Sequence, residues 1–177
     1  MAPSPRAQFP SALVLSLGGT IAMAAQGAGH GGVAPRLTAE DLVAAVPELA
    51  EEAELGLPGC LKIPGAWLEI DDIAAVVELL NKQAAGTTGF VISQATDTVE
   101  EVTYLFDLLY EGAAPVAVTG AMRNAQMAST DGSANLLAAV RTAISPQARD
   151  MGVLVALADE LHAARGGGES VPAESSA

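Results

Sequence analysis

Small polar residues follow two apolar runs of this chain, at points where buried strands would end. Thr20 comes directly after Gly18-Gly19, and Thr96-Asp97 follows a second apolar run. A threonine hydroxyl becomes an effective nucleophile when a neighbouring group takes its proton and hydrogen-bond donors stabilise the oxyanion. Paired glycines permit close backbone approach and leave amide groups facing a ligand, and Asp97 could orient a hydroxyl or hold a substrate ammonium group. These residues predict a candidate site for nucleophilic chemistry.

The same positions also admit simpler roles. Gly18-Gly19 would suit a tight turn after a strand, and Asp97 and Thr98 could serve only to cap a helix. Arg123 could be a surface ion-pair partner, and Asp131 is well placed as a helix N-cap. Residue types alone leave these alternatives open.

Four unbroken apolar runs would form the strands that position these residues, as expected for strands buried on both faces of a sheet. They span residues 12–17, 89–93, 115–119 and 152–158. Helical spacing between the runs predicts four helices. The first begins at a capping box at Thr38–Asp41 and extends to about Glu52 with a break at Pro47, and the second begins at Asp71-Asp72. The third extends from a capping box at Thr98–Glu101 to Gly112, and the fourth from Asp131 through Ile144. This alternation predicts an α/β fold, a Rossmann-like three-layer parallel sheet with helices on both faces.

Ligands of such sheets bind beyond the carboxyl ends of the strands. The segments that follow the four runs are therefore the candidates for the site: Gly18–Thr20, Gln94–Asp97, Gly120–Arg123 and Asp159-Glu160. Two of these strand ends present a threonine, and one of the two also presents a carboxylate. That convergence is more specific than either motif alone.

Length and charge limit the classes of function. The 177 residues suit one domain with a full core, because half of them are apolar. Eight basic residues against 21 acidic ones give a formal charge of −13, which repels phosphate backbones and anionic lipids. We therefore expect no nucleic-acid partner and no membrane binding. No apolar run has the length of a membrane span. Because glycines and Thr20 interrupt the only segment resembling a secretory signal, a cytoplasmic location is predicted.

Cysteine and histidine usage argues against a metal site. The lone cysteine, Cys60, excludes an internal disulfide and a cysteine-based zinc site, and His30 and His162 lack ligand-like spacing. The glycines do not form a Gly-x-Gly-x-x-Gly fingerprint, so a nucleotide-binding domain is the weakest alternative.

Residues 24–36 are predicted to be a mobile loop and residues 166–177 a disordered tail.

Three linked motifs carry a resemblance to a known family. SLGGTIAM, ATDTVEE and PVAVTGAMR followed by STDGSANLLAAV occur in this order with fitting spacings. The sequence thereby resembles the N-terminal domain of the bacterial-type L-asparaginase/glutaminase family, and residues 1–165 would form that domain. The resemblance implies hydrolysis of L-asparagine, and often L-glutamine, to the acid and ammonia, with neither a metal nor a cofactor.

The resemblance also implies roles for particular residues. Thr20 matches the threonine nucleophile that forms the acyl-enzyme. Thr96 and Asp97 match the second catalytic threonine and its acidic neighbour, which also holds the α-amino group of the substrate. Ala95 and Ala121 match residues at the substrate pocket.

Several positions depart from the family pattern. Gln94-Ala95 stands where His-Gly is usual, and Leu17 replaces a threonine. The loop tyrosine falls near Gly32 or Val33, the substrate-binding serine falls within residues 65–67, and the catalytic lysine falls at Glu169. Members of the family complete the site with a second domain of a neighbouring subunit, so a homo-oligomer is expected. We predict impaired turnover by a truncated or frame-shifted chain, with an amino-acid-binding relic or a non-functional fragment as alternatives.

Overall fold

The computed structural model describes residues 9–25, 33–58, 68–165 and 171–172. The strands are β1 (Ser11–Ser16), β2 (Met23–Ala25), β3 (Val33–Pro35), β4 (Glu54–Gly56), β5 (Gly89–Ser93), β6 (Val116–Thr119), β7 (Val153–Leu157), β8 (Glu160–Ala163) and β9 (Val171–Pro172). The α-helices are α1 (Ala39–Ala44), α2 (Leu49–Glu52), α3 (Ile70–Gln83), α4 (Val99–Leu109) and α5 (Gly132–Ile144). Short 3₁₀ turns span Thr20–Ala22 and Pro146–Ala148.

The main sheet among the described residues has the order β4-β1-β5-β6-β7-β8-β9. The first five strands are parallel to one another; β8 runs antiparallel to β7, and β9 runs antiparallel to β8. The α/β prediction is confirmed, and the four predicted strands are β1, β5, β6 and β7. The predicted parallel sheet is extended at one edge by β8, which runs antiparallel to β7. There the chain reverses through Ala158 and Asp159, whose φ angles of 54° and 63° suit a two-residue hairpin turn.

Helices cover both faces of the parallel strands. On one face α1, α2 and α5 pack on alternate strand residues such as Val14, Val91 and Ala117. On the other face α3 and α4 pack on Phe90 and Ile92 and their neighbours. The strands are apolar on both sides for this reason, and their carboxyl ends form one edge of the sheet.

Two predicted helix starts are confirmed, with small shifts. Thr38 and Asp41 form the expected capping box of α1, and the break at Pro47 separates α1 from α2. Helix α3 begins at Ile70, one residue before the predicted start, with a capping box between Glu69 and Asp72.

The predicted capping box of α4 is wrong. Thr98 precedes the helix but makes no side-chain cap; its hydroxyl accepts a hydrogen bond from Gln94 Nε2 at 3.1 Å. Gly112 does not close this helix, which ends at Leu109 with extended backbone at Tyr110. Asp131 does precede α5, but its carboxylate bonds a loop and not the helix backbone.

Other predictions fall partly or wholly outside the described residues. The ends of the 24–36 loop form the β2–β3 pair, and residues 26–32 are outside. Val171–Pro172 pairs with Glu160–Leu161, and the rest of 166–177 is outside, so a domain boundary at residue 165 and a disordered tail remain predictions. Predictions for five further positions or ranges also lie outside the described residues: His30, Gly32, Cys60, 65–67 and Glu169.

Candidate active site

The end of β1 turns sharply and meets the end of β5. Leu17 N–H donates to the Ser93 carbonyl at 2.8 Å, which continues the β1–β5 pairing by one residue. Gly18 and Gly19 then have φ angles of 93° and 83°, and Gly19 has ψ −178°, a region open almost only to glycine. This turn leads directly into the 3₁₀ turn that begins with Thr20.

The backbone of Gly19 lies against the backbone of Ala95. A β-carbon placed on Gly19 would lie 2.6 Å from both Ala95 Cα and Ala95 N, and 2.8 Å from the Gln94 carbonyl carbon. Such a distance is far below ordinary contact. The Gly-Gly-Thr turn therefore packs directly on the segment that carries Thr96 and Asp97.

The end of β6 joins the same cluster from the other side of β5. Gln94 N–H donates to the Thr119 carbonyl at 2.7 Å. A β-carbon on Gly120 would lie 2.7 Å from the Gln94 carbonyl oxygen and 3.0 Å from Thr96 Cγ2. Three of the four strand ends predicted from the sequence, those after β1, β5 and β6, thus adjoin one another.

The five predicted site residues differ in exposure. Ala95 and Ala121 are buried, Thr20 and Thr96 are half-buried, and Asp97 is exposed. Within the described part of the chain, no hydrogen bond is formed by the side chains of Thr20, Thr96 or Asp97. The two hydroxyls and the carboxylate at these strand ends therefore have no hydrogen-bond partner among the described residues.

Ala95 is compatible with the close approach at this point. It is not among the described non-glycine residues with positive φ, so its β-carbon causes no left-handed strain. The contact with β1 is made possible by the missing β-carbon of Gly19 instead. The alanine that replaces the usual glycine thus fits the observed backbone.

Gln94 is buried and only half satisfied. Its side-chain nitrogen donates to Thr98 Oγ1 at 3.1 Å, while Oε1 has no hydrogen-bond partner among the described residues. An unpaired buried oxygen costs about 1–3 kcal/mol. Gln94 therefore ties the β5–α4 turn to the start of α4 at some cost to stability.

Sequence reasoning missed the role of Asp131 in the loop after β6. Its carboxylate accepts hydrogen bonds from Met122 N–H and Arg123 N–H, both at 2.9 Å, and from Asn135 Nδ2 at 3.1 Å. Partial burial raises the pKa of Asp131, but these hydrogen bonds outweigh it and lower the pKa below the ordinary aspartate value. An Asp four residues before an Asn, just after a strand-end loop, was the available signal.

The remaining candidates lie apart from the three joined strand ends or have local partners. Asp159 and Glu160 belong to the β7–β8 hairpin, where Glu160 lies 3.0 Å from His162 Nε2. Arg123 donates through Nη1 to the Ser129 carbonyl at 3.2 Å, so its partner is a backbone oxygen.

Cations and ligand clusters are sparse in the described segments. The lysine they contain, Lys82, pairs with Glu78 near the carboxyl end of α3, and α3 leads into β5, so this pair lies toward the opposite edge of the sheet. Residues 9–25, 33–58, 68–165 and 171–172 contain no group of three His, Cys, Asp or Glu side chains suited to a metal ion. None of the described helices is long and apolar enough to cross a membrane.

Comparisons with known proteins identify the family of this chain. A family model described as "Asparaginase, N-terminal" matches residues 11–168. The chain belongs to this family. The resemblance read from SLGGTIAM, ATDTVEE and PVAVTGAMR is therefore confirmed, whereas the roles of the individual residues remain predictions.

Relatives of this asparaginase-family chain are much longer than it is. A probable periplasmic L-asparaginase of Haemophilus influenzae is 36% identical over 160 residues, which cover 90% of this chain and 46% of the relative. A glutaminase-asparaginase of Pseudomonas fluorescens is 32% identical over 166 residues, covering 90% and 45%. A crystal structure of a probable cytoplasmic L-asparaginase from Campylobacter jejuni superposes with a TM-score of 0.80 at 31% identity, covering 89% and 48%. The chain spans about half the length of these proteins.

Proposed function

We propose that this asparaginase-family domain binds L-asparagine, with L-glutamine as a second substrate, at the carboxyl edge of its sheet, and that Thr20 is the nucleophile. The observation that carries the proposal is the backbone contact between Gly19 and Ala95. It joins the turn that ends in Thr20 to the turn that contains Thr96 and Asp97. The names of the relatives, L-asparaginase and glutaminase-asparaginase, favour an amino-acid amide as the substrate class.

The proposed reaction is an acyl transfer through threonine. Thr20 Oγ1 attacks the side-chain amide carbon, its proton passes to a base, and a C–O bond forms as the carbonyl oxygen becomes an oxyanion. Collapse of this intermediate breaks the C–N bond, and the nitrogen leaves as ammonia after gaining a proton. Water then hydrolyses the ester, releasing L-aspartate and restoring the hydroxyl. Backbone amides near Gly18-Gly19 are suitable oxyanion donors.

Thr96 and Asp97 have complementary roles in this proposal. Thr96, half-buried and beside Gly120, orients the hydrolytic water. Asp97, exposed at the edge, holds the α-amino group of the amino acid. Ala95 and Ala121 line the pocket between the strand ends, and their small side chains leave room for a small substrate.

We expect the 177-residue chain by itself to bind the amino acid but to release little or no ammonia. The family resemblance places a lysine at Glu169, and the described lysine, Lys82, is paired with Glu78 on α3. Proton transfer from Thr20 would then lack its usual participant. This favours, as a second candidate function, an amino-acid-binding domain without turnover.

Two assays of the purified chain test the proposal. L-Aspartate and succinate are titrated calorimetrically against the wild type, Asp97→Asn and Ser133→Ala, an exposed control on α5. We expect Asp97→Asn to weaken L-aspartate binding about tenfold or more, as for the loss of a charge-assisted bond, with little effect on succinate, which lacks the amino group. Equal losses for both ligands would contradict the role of Asp97.

Ammonia release from L-asparagine and L-glutamine is measured beside the Thr20→Ala variant. Release that disappears in Thr20→Ala would support Thr20 as the nucleophile and overturn the expectation of low turnover. Release that persists unchanged in Thr20→Ala would refute the proposed mechanism.

Partners and location are also proposals. Because relatives are named as periplasmic and as cytoplasmic proteins, sequence similarity does not choose between the compartments, and we favour the cytoplasm on the interrupted signal-like segment. We propose a homo-oligomer, and we expect the charge of −13 to keep nucleic acids and anionic membranes away. Sedimentation at two protein concentrations tests the oligomer.

A further inference from the structure

We infer that Asp131, just before α5, and Asn135, in the first turn of α5, are positioning residues for the loop Gly120–Arg123, which carries Ala121. They set this loop as one wall of the pocket, so the inference rests on the proposed function. The two residues do not contact the substrate in this proposal. They act through the backbone of the loop.

Asp131 holds the far part of the loop by its amide groups. The two carboxylate oxygens accept separately, Oδ2 from Met122 N–H and Oδ1 from Arg123 N–H, at 2.9 Å each. Met122 is 67% exposed, so packing of its side chain contributes little to the position of the loop. Hydrogen bonds to a charged acceptor are about twice as strong as neutral ones, and these two bonds therefore determine where the loop lies.

Asn135 holds the near part of the loop and links it to the next strand. Its side chain is 3% exposed, and Nδ2 donates to the Gly120 carbonyl at 3.0 Å and to Asp131 Oδ2 at 3.1 Å. Oδ1 accepts from Ala158 N–H at 3.1 Å, just after β7. One buried amide thus satisfies groups from the ends of β6 and β7 and orients the Asp131 carboxylate.

Gly132, between these two residues, connects the same turn of helix to the Thr20 side of the site. A β-carbon placed on it would lie 3.0 Å from Ile21 Cγ1 and 3.5 Å from Ala121 Cβ. Ile21 directly follows Thr20 in the 3₁₀ turn. A shift of the start of α5 would therefore reach both the Ala121 wall and the turn that carries the proposed nucleophile.

The segment between Arg123 and Asp131 forms its own hydrogen bonds with Arg123, and these bonds do not replace the contacts of Asp131 and Asn135. Arg123 Nη1 donates to the Ser129 carbonyl, and Thr130 Oγ1 donates to the Arg123 carbonyl, both at 3.2 Å. Neither bond involves the Met122 and Arg123 N–H groups, which donate to Asp131. Loss of the carboxylate would leave Met122 and Arg123 N–H free to exchange with water.

The test combines amide hydrogen exchange with L-aspartate titration on the full 177-residue chain. We expect Asp131→Ala to speed exchange at Met122 and Arg123 by about tenfold or more and to weaken L-aspartate binding, with exchange in β1 and β5 unchanged. Asp131→Asn, which keeps one acceptor oxygen, should be intermediate. Asn135→Ala should additionally speed exchange at Ala158. Ser133→Ala, exposed in the same turn, should change none of these quantities.

The outcomes separate the inference from the proposed function. Unchanged exchange at Met122 and Arg123 in both Asp131 variants would overturn the inference. Faster exchange with unaltered L-aspartate affinity would also overturn it, because the two residues would then be structural only. If the wild type binds no L-aspartate, the proposed function fails, and the exchange rates still decide whether Asp131 and Asn135 hold the loop.

Discussion

Replacing Gly19 by alanine would test the contact on which the candidate site depends. The added β-carbon would meet Ala95 Cα and N at 2.6 Å and the Gln94 carbonyl carbon at 2.8 Å. These are backbone atoms of a strand end, so no side-chain rotation relieves the clash. The φ of 83° with ψ near −178° adds backbone strain for any residue with a β-carbon.

The expected loss of stability follows from these two contributions. A non-glycine residue in a sparsely populated backbone region costs about 1–3 kcal/mol, and overpacking of a close contact typically costs about 1–3 kcal/mol. Together they predict a loss of roughly 4 kcal/mol in the free energy of unfolding. For a domain of this size that is a fall in Tm of about 8–16 °C.

Gly86→Ala is the matched control. A β-carbon there would lie 3.8 Å from the Gln83 carbonyl oxygen, which is ordinary contact, and its φ is not in the left-handed region. Alanine at a compatible site stabilises by about 0.4–1 kcal/mol through the unfolded chain. Urea unfolding followed by circular dichroism measures both variants. A Gly19→Ala protein within about 1 kcal/mol of the wild type would refute the backbone contact between the β1 and β5 ends.

Three further perturbations follow from single contacts. Burial raises the pKa of Tyr110 to about 12, so stability should be full below pH 10 and fall as pH rises from about 10 to 12; Tyr110→Phe should flatten that fall in urea titrations at several pH values. Asp107→Ala removes the acceptor of Val153 N–H at 2.7 Å and the partner of Arg165, and should lower the free energy of unfolding by about 1–3 kcal/mol. Lys82→Ala breaks an exposed pair and should lower it by less than about 1 kcal/mol; equal losses in thermal melts would contradict this difference. Gln94→Met removes the unpaired buried oxygen together with its bond to Thr98, and should change unfolding free energy by less than about 1.5 kcal/mol, whereas a loss above about 3 kcal/mol would show that Oε1 has a partner.

The central strands were predictable because burial on both faces leaves a plain sequence signal. β1, β5, β6 and β7 read as continuous apolar runs. β8 lacks that signal because its residues are largely exposed, and its pairing depends on a turn at Ala158-Asp159 that has neither glycine nor asparagine. Its antiparallel direction is therefore set by a local turn that residue preferences do not indicate.

The proximity of the strand ends was predictable for a related reason, whereas the side-chain hydrogen bonds that hold them were not. Parallel strands end at one edge, so Thr20 and Thr96 were expected near each other. The choice of partner by a polar side chain depends on tertiary packing. Thr98 and Asp131 both stand where helix caps are common, yet Thr98 accepts from Gln94 and Asp131 accepts from Met122 and Arg123.

The contact between Gly19 and Ala95 also explains how the chain accommodates a departure from its family pattern. Two backbones can approach closely when one of the facing residues lacks a β-carbon. Gly19 supplies that condition and has the backbone angles that only glycine adopts easily, whereas Ala95 has no positive φ. The glycine requirement of this junction therefore lies on the Thr20 side. Ala95, directly before Thr96, therefore fits the junction of the two turns, and the neighbouring Gln94 is buried and donates to Thr98 Oγ1.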